Sequence, residues 1–222
     1  MRLAVFNGSP RGKTANSERL IQWLSAGFAE TPGVEAGVYH LARVNDHDEY
    51  VDRLRDADTA VMVFPLYTDC MPGIVMAFFE RFEALRGSLG HLTLGFVVHS
   101  GFPEACQSRA VEKYLVWLTA ELGAKYAGTV IMGGTESMRH MQESALVGKR
   151  SLLENLGRGL AKDGRFSPEL VKRAAGMERL PGPVAFVFKF VSRMNFFQSM
   201  WINDLKKNNA YENRAARPYE RP

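Results

Sequence analysis

Along the first two-thirds of the chain, short apolar runs alternate with longer stretches of helical period. The runs occupy residues 3–6, 34–41, 59–64, 92–98 and 129–132, the length and composition of buried strands. Between them Leu20, Ile21, Leu24 and Phe28 mark one helical face, and Ile74, Val75, Phe78, Phe79 and Phe82 a second. Val111, Tyr114, Leu115, Leu118 and Leu122 mark a third, and Leu152, Leu153, Leu156 and Leu160 a fourth. The acidic stretch 48–57 is assigned to a helix by its place between two strands more than by its pattern. Strand–helix alternation with short connections predicts βαβ units, hence a parallel α/β sheet covered on both faces. No internal repeat or low-complexity segment interrupts it.

After residue 164 the alternation is complete and the character changes, so the chain divides into a body, 1–164, and a helical C-terminal extension, 165–222. From Val187 onward Phe190, Val191, Met194, Phe197, Trp201 and Leu205 fall on one helical face, and Lys189, Ser192, Arg193, Ser199 and Asn203 on another. A helix this aromatic must bury that face. The expectation is packing on the chain's own domain or across a dimer; the alternative is a basic amphipathic helix lying on an anionic membrane. The last residues, 206–222, are polar and read as loose or draped over a partner.

Composition narrows the function classes. Hydrophobic residues make up 46% of the 222 and charged residues 23%, the globular balance, which excludes wholesale disorder. No apolar stretch approaches the roughly 20 residues of a spanning helix, and the four apolar residues at 3–6 are too few for a secretory signal. The net charge of +4 is unevenly placed: residues 1–164 hold 17 Lys+Arg against 19 Asp+Glu, residues 165–222 hold 11 against 5. The body therefore lacks a basic stripe suited to nucleic acid. Two cysteines, Cys70 and Cys106, form no CxxC pair; they fit a reducing cytoplasm and cannot build a four-thiolate cluster.

The first strand runs into NGSPRGKTANS and then a helix. Small and hydroxyl residues at a helix N-terminus suit a phosphate, because backbone amides and the helix dipole point at it. Asn16 or Ser17 is placed to cap that helix. The run GKT imitates a nucleotide-triphosphatase loop, but Asn7 stands where that motif needs its first glycine. The strands also lack the terminal aspartate that would hold magnesium. That reading fails.

GSPRGKTAN instead resembles the GSxRxxSxN loop of the flavodoxin-like NADPH-dependent FMN reductases, with Thr14 in the serine position. The resemblance implies a flavodoxin-like doubly wound sheet of five parallel strands, order 2-1-3-4-5. It also implies FMN, with Ser9, Arg11, Thr14, Asn16 and Ser17 at the positions that wrap its phosphate. Arg11 adds a planar charged fork suited to phosphate, either that of the flavin or that of an incoming nicotinamide cofactor. After the third strand, PLYTDCMPG resembles the family's P-x-Y segment, making Pro65, Leu66, Tyr67 and Thr68 candidates for the flavin ring. The loop HSGFPE brings Ser100, Gly101 and Phe102 to the same role.

In a doubly wound sheet of this order the chain reverses between strands 1 and 3, leaving a crevice at their carboxyl ends. All three loops should meet there. The resemblance further implies an NAD(P)H-dependent oxidoreductase of quinone- or flavin-reductase type that passes hydride to a small acceptor, working as a homo-oligomer. No side chain is assigned as catalytic acid, base or nucleophile, since FMN carries the hydride chemistry. His40 and His99 are read as structural and Cys70 as inert packing, whereas His140 lies at the end of the sheet where substrate would approach and Arg139, in the same loop, is a candidate ligand for a cofactor phosphate. The rivals are a flavodoxin-type electron carrier and a non-catalytic binding or assembly protein that has lost its flavin.

Overall fold

The computed structural model describes residues 1–191 and 195–217; the side chains of residues 140, 185, 188–198 and 200 lie outside that description. Five strands, β1 (Arg2–Asn7), β2 (Glu35–His40), β3 (Thr59–Pro65), β4 (Thr93–His99) and β5 (Lys125–Met132), form one sheet of order β2-β1-β3-β4-β5. Every neighbouring pair is parallel. Helices α1 (Asn16–Ala29), α2 (His47–Arg55), α3 (Gly73–Glu80), α4 (Arg109–Glu121) and α5 (Glu143–Asp163) fill the crossovers, with α6 (Pro168–Ala175) after them.

The pleat sorts each strand's side chains between two cores. Ala4 and Phe6 of β1, with Ala60, Met62 and Phe64 of β3, join the side lined by Phe78, Phe79 and Leu115. Leu3 and Val5, with Val61 and Val63, join the other side, lined by Leu20, Leu24, Leu153 and Leu156. Continuous apolar runs in the central strands β1, β3 and β4 are thus explained: both faces are buried and alternation disappears, whereas the edge strand β2 has no fully buried residue. Tyr114, expected on the buried face of α4, is half exposed because it sits at the rim of that face. Helices α1 and α5 touch backbone to backbone. A Cβ on Gly27 would lie 1.9 Å from the Glu154 carbonyl oxygen, and one on Gly157 2.2 Å from that of Leu24. This close seating fixes the axis of α1, and so the direction of its N-terminus.

Two boundaries differ from the sequence expectation. Strand β5 starts at Lys125 rather than 129, because the β4–β5 ladder slips one residue beside Gly95, and the bulge masks the apolar pattern. The Ala127 carbonyl accepts the Phe166 amide at 2.9 Å, and the buried Phe166 brings α6 against β5. The first compact unit therefore runs from Met1 to Arg179, not to 164. Its start signal, Ser167 before Pro168 and Glu169, is an ordinary helix opening that was legible in the sequence.

The second unit, Leu180–Pro222, contains the helical stretches α7 (Gly182–Val191) and α8 (Asn195–Lys207). Ser192, Arg193 and Met194 of the expected faces lie outside the described residues, as do the side chains of Lys189, Phe190, Val191 and Phe197. Trp201 is 67% exposed. Tyr211 lies under Arg214, 3.9 Å from its ring centre, and 5.2 Å from the Lys206 ammonium. Among the described residues, no helix is long and apolar enough to cross a membrane.

Candidate functional site

Asn7 ends β1 with its side chain fully buried, and this organises the first loop. Its Oδ1 accepts the Ser9 amide at 3.0 Å, while Nδ2 donates to the Gly12 carbonyl at 3.3 Å and to Glu18 Oε2 at 2.8 Å. The same Glu18 oxygen lies 2.9 Å from His40 Nε2. Gly8 must be glycine because the loop crosses close over β3 and α3: a Cβ there would stand 2.5 Å from Val75 Cγ2 and 2.8 Å from Phe64 Cβ. Ser9 Oγ accepts the Arg11 amide at 3.3 Å, and no acceptor for its own hydroxyl hydrogen is found among the described residues.

Helix α1 is not capped as the sequence suggested. Ala15 is its N-cap, and Asn16 and Ser17 are its first two residues. Their side chains reach tertiary partners instead. Asn16 Nδ2 donates to the Thr135 carbonyl at 2.8 Å, and Ser17 Oγ lies 2.7 Å from His99 Nε2. The backbone amides at this end precede the first helical hydrogen bond and point outward from the helix.

Pro65, which ends β3, and Leu66 and Tyr67 after it line the opposite wall, with the Leu66 amide tied to the His99 carbonyl at 2.7 Å. Tyr67 and Cys70 exchange backbone hydrogen bonds of 2.8 and 3.1 Å around Thr68 and Asp69. Both turn residues hold positive φ, 47° and 63°. That is a tight turn with a β-branched residue where Asn or Gly is favoured, so it stores strain.

One hollow of about 260 Å³ gathers these loops at the carboxyl ends of β1, β3, β4 and β5. Of the predicted residues Ser9, Arg11, Asn16, Pro65, Leu66, Tyr67, Ser100 and Gly101 line it. Thr14, Ser17, Thr68 and Phe102 do not. Thr14 donates its hydroxyl to the Arg11 carbonyl at 3.1 Å, Ser17 is buried beneath the lining, and Phe102 is 58% exposed beside it. The lining also includes His99, Thr135 and Glu136, which were not assigned to the site from sequence. A polar residue at the end of a buried strand and a Gly-Gly-Thr turn after the last strand were the available signals. Glu136 pairs with Arg11 at 3.7 Å and with Arg139 at 2.7 Å. The His140 side chain lies outside the described residues. Burial lowers the His99 pKa from 6.5 to about 4, so its ring is neutral near pH 7.

This arrangement fits FMN. It offers an anion seat of hydroxyl, guanidinium and helix amides at one end, and a Pro-Leu-Tyr wall with a glycine opposite it at the other. A larger hollow of about 380 Å³, lined by Met76, Phe79 and Tyr114, carries the carboxylates of Asp69 and Glu80 and no cation, so it is no anion seat. Among the described residues no cluster of metal-ligating side chains is present.

Solved structures share the architecture. An NAD(P)H:quinone oxidoreductase from Methanothermobacter marburgensis superposes with a TM-score of 0.59 at 16% identity, covering 72% of this chain and 96% of its own. An FMN-dependent NADH-azoreductase from Bacillus anthracis, in complex with FMN, gives 0.57 at 15% identity, covering 73% and 100%. A flavone reductase gives 0.56 at 13% identity and covers 100% of both chains. At these identities the likeness is one of fold. A search of curated proteins returns no match. The profile of the NADPH-dependent FMN reductases, in contrast, matches residues 1–137, the stretch that carries all three loops. The chain belongs to the NADPH-dependent FMN reductase family and is an FMN-dependent oxidoreductase.

Proposed function

We propose that the cleft seats FMN with its phosphate at Ser9, Arg11, Asn16 and the start of α1, and its ring between Pro65–Tyr67 and Ser100–Gly101. NAD(P)H is the reductant and a small quinone-like molecule the acceptor. The observation that carries this reading is the convergence of three separate loops on one hollow at the switch point of the sheet. When bound, FMN supplies the hydride chemistry. The protein's part is to hold and orient. Arg11 and the helix amides neutralise the phosphate, Pro65 and Leu66 exclude water from one side, and the exposed Tyr67 and Phe102 flank the approach to the other. Thr14 shapes the phosphate loop through its bond to the Arg11 carbonyl, and Thr68 holds Tyr67 through the strained turn.

Both nitrogens of His99 are engaged in hydrogen bonds within the protein. The exposed Met76, Tyr114 and Trp117 support a homo-oligomer, which light scattering checks. Absorption spectra of the purified protein, an FMN titration and NAD(P)H oxidation with benzoquinone test the whole reading. An electron carrier would need a partner reductase to consume NAD(P)H, and a non-catalytic protein would stay colourless with added FMN. Either result rejects the proposal.

A further inference from the structure

His99 closes β4 at the floor of the cleft, and its two nitrogens face two different loops. Nε2 lies 2.7 Å from Ser17 Oγ in the first turn of α1, and Nδ1 lies 2.9 Å from Thr135 Oγ1 in the loop after β5. Thr135 in turn donates its hydroxyl to the Ser100 carbonyl at 3.0 Å. A hydroxyl has one hydrogen, so Thr135 has none left for the imidazole. Nδ1 therefore carries the ring hydrogen and donates it to Thr135, and Nε2 accepts the hydrogen of Ser17. The direction of the chain is set throughout: Ser17 to His99 to Thr135 to the Ser100 carbonyl. A parallel tie runs from Asn16 Nδ2 to the Thr135 carbonyl at 2.8 Å. Ser17, His99 and Thr135 are all buried.

We propose that His99 is a positioning residue. In its neutral Nδ1–H form it locks the first turn of α1, and with it the anion seat, to the loops after β4 and β5. Ser17 serves the site through this imidazole, and its hydroxyl does not touch the ligand. The inference rests on the reading of the cleft as an FMN seat. A seat made of helix amides and short hydroxyls acts only when its donors are held in register, and long-range ties from buried residues supply that rigidity. With the Ser17 hydrogen committed to Nε2, phosphate recognition falls to Ser9, Arg11 and the backbone amides.

FMN and riboflavin differ by the phosphate alone, so their relative affinities isolate the seat from the ring wall. His99→Leu and Ser17→Ala are each expected to reduce the preference for FMN over riboflavin about tenfold, the worth of one well-placed hydrogen bond, with riboflavin affinity unchanged. His99→Gln, whose amide offers both a donor and an acceptor group, is expected to restore most of the preference. Ser17→Ala removes only a hydroxyl, which keeps the test informative should His99→Leu fail to fold. Equal loss for both flavins would overturn the inference and leave His99 a general support; so would an unaltered preference. Nitrogen NMR of the wild-type imidazole should show the Nδ1–H tautomer, and an Nε2–H form would refute the chain of donors directly. A wild-type protein that binds neither flavin would reject the cofactor reading itself.

Discussion

At the α1 end of the cleft Asn7, Ser9, Ser17, His99 and Thr135 are buried, and each has hydrogen-bond partners in the protein. At the β3 end Tyr67 and Phe102 stand 43% and 58% exposed, and Thr68 and Asp69 hold left-handed dihedrals. The two ends face different physical problems. On the proposed assignment the α1 end is an anion seat, which works through directional donors and must be rigid before the ligand arrives; polar groups tied to one another across the fold supply that rigidity. A ring wall works through contact area, and its order can come from whatever covers it. The first end is preorganised; the second is a strained, half-open surface.

That contrast predicts that damage at the α1 end is felt in stability as well as binding. Asn7→Ala should cost about 3 kcal/mol in urea unfolding, since it strips partners from the buried Ser9 amide and from Glu18. A loss below about 1 kcal/mol would mean that Asn7 does not organise the loop. Acid should act on the same end. The folded His99 pKa is lowered from 6.5 to about 4, so between those values the unfolded chain binds a proton that the folded chain refuses. Stability is complete above the unfolded value and falls as the pH drops toward 4, by up to about 3 kcal/mol. His99→Gln should flatten that decline, and an unchanged slope in the variant would assign it to other groups.

Smaller effects sharpen the comparison. Arg11→Ala should weaken FMN binding about tenfold and reduce its salt dependence, while leaving riboflavin binding and the melting temperature unaltered. Arg11 is exposed and pairs only loosely with Glu136, so its contribution belongs to the ligand and not to the fold. At the ring end Thr68→Asn should raise stability, by about 0.5–1 kcal/mol, because Asn tolerates a φ of 47° better than a β-branched residue. A lower melting temperature would show that the Thr68 side chain makes a contact worth more than the strain it carries.

Much of this was legible in the chain. The central apolar runs coincide with strands because the parallel sheet buries both of their faces, and the spacing of Leu20, Ile21, Leu24 and Phe28 marks the buried side of α1. The loops that line the cleft were readable because each is a contiguous stretch of sequence. Three features escaped. The slip in the β4–β5 ladder hid the start of β5, and α6 was assigned to the extension although Phe166 anchors it to that strand. Asn16 and Ser17 were read as caps, the local role for such residues, when their partners lie 119 and 82 positions away.

What the sequence determined alone is therefore whatever depends on neighbours along the chain: the order of strands and helices, the glycine and hydroxyl content of the first loop, and the family to which those loops belong. The tertiary structure decided which hydroxyl faces the cleft and which is spent beneath it, and that His99 is a neutral link among three loops. A hydroxyl's choice of acceptor is a contest between nearby groups in space. Here the winning groups are brought in by the crossing of distant strands, which no local pattern of residues records.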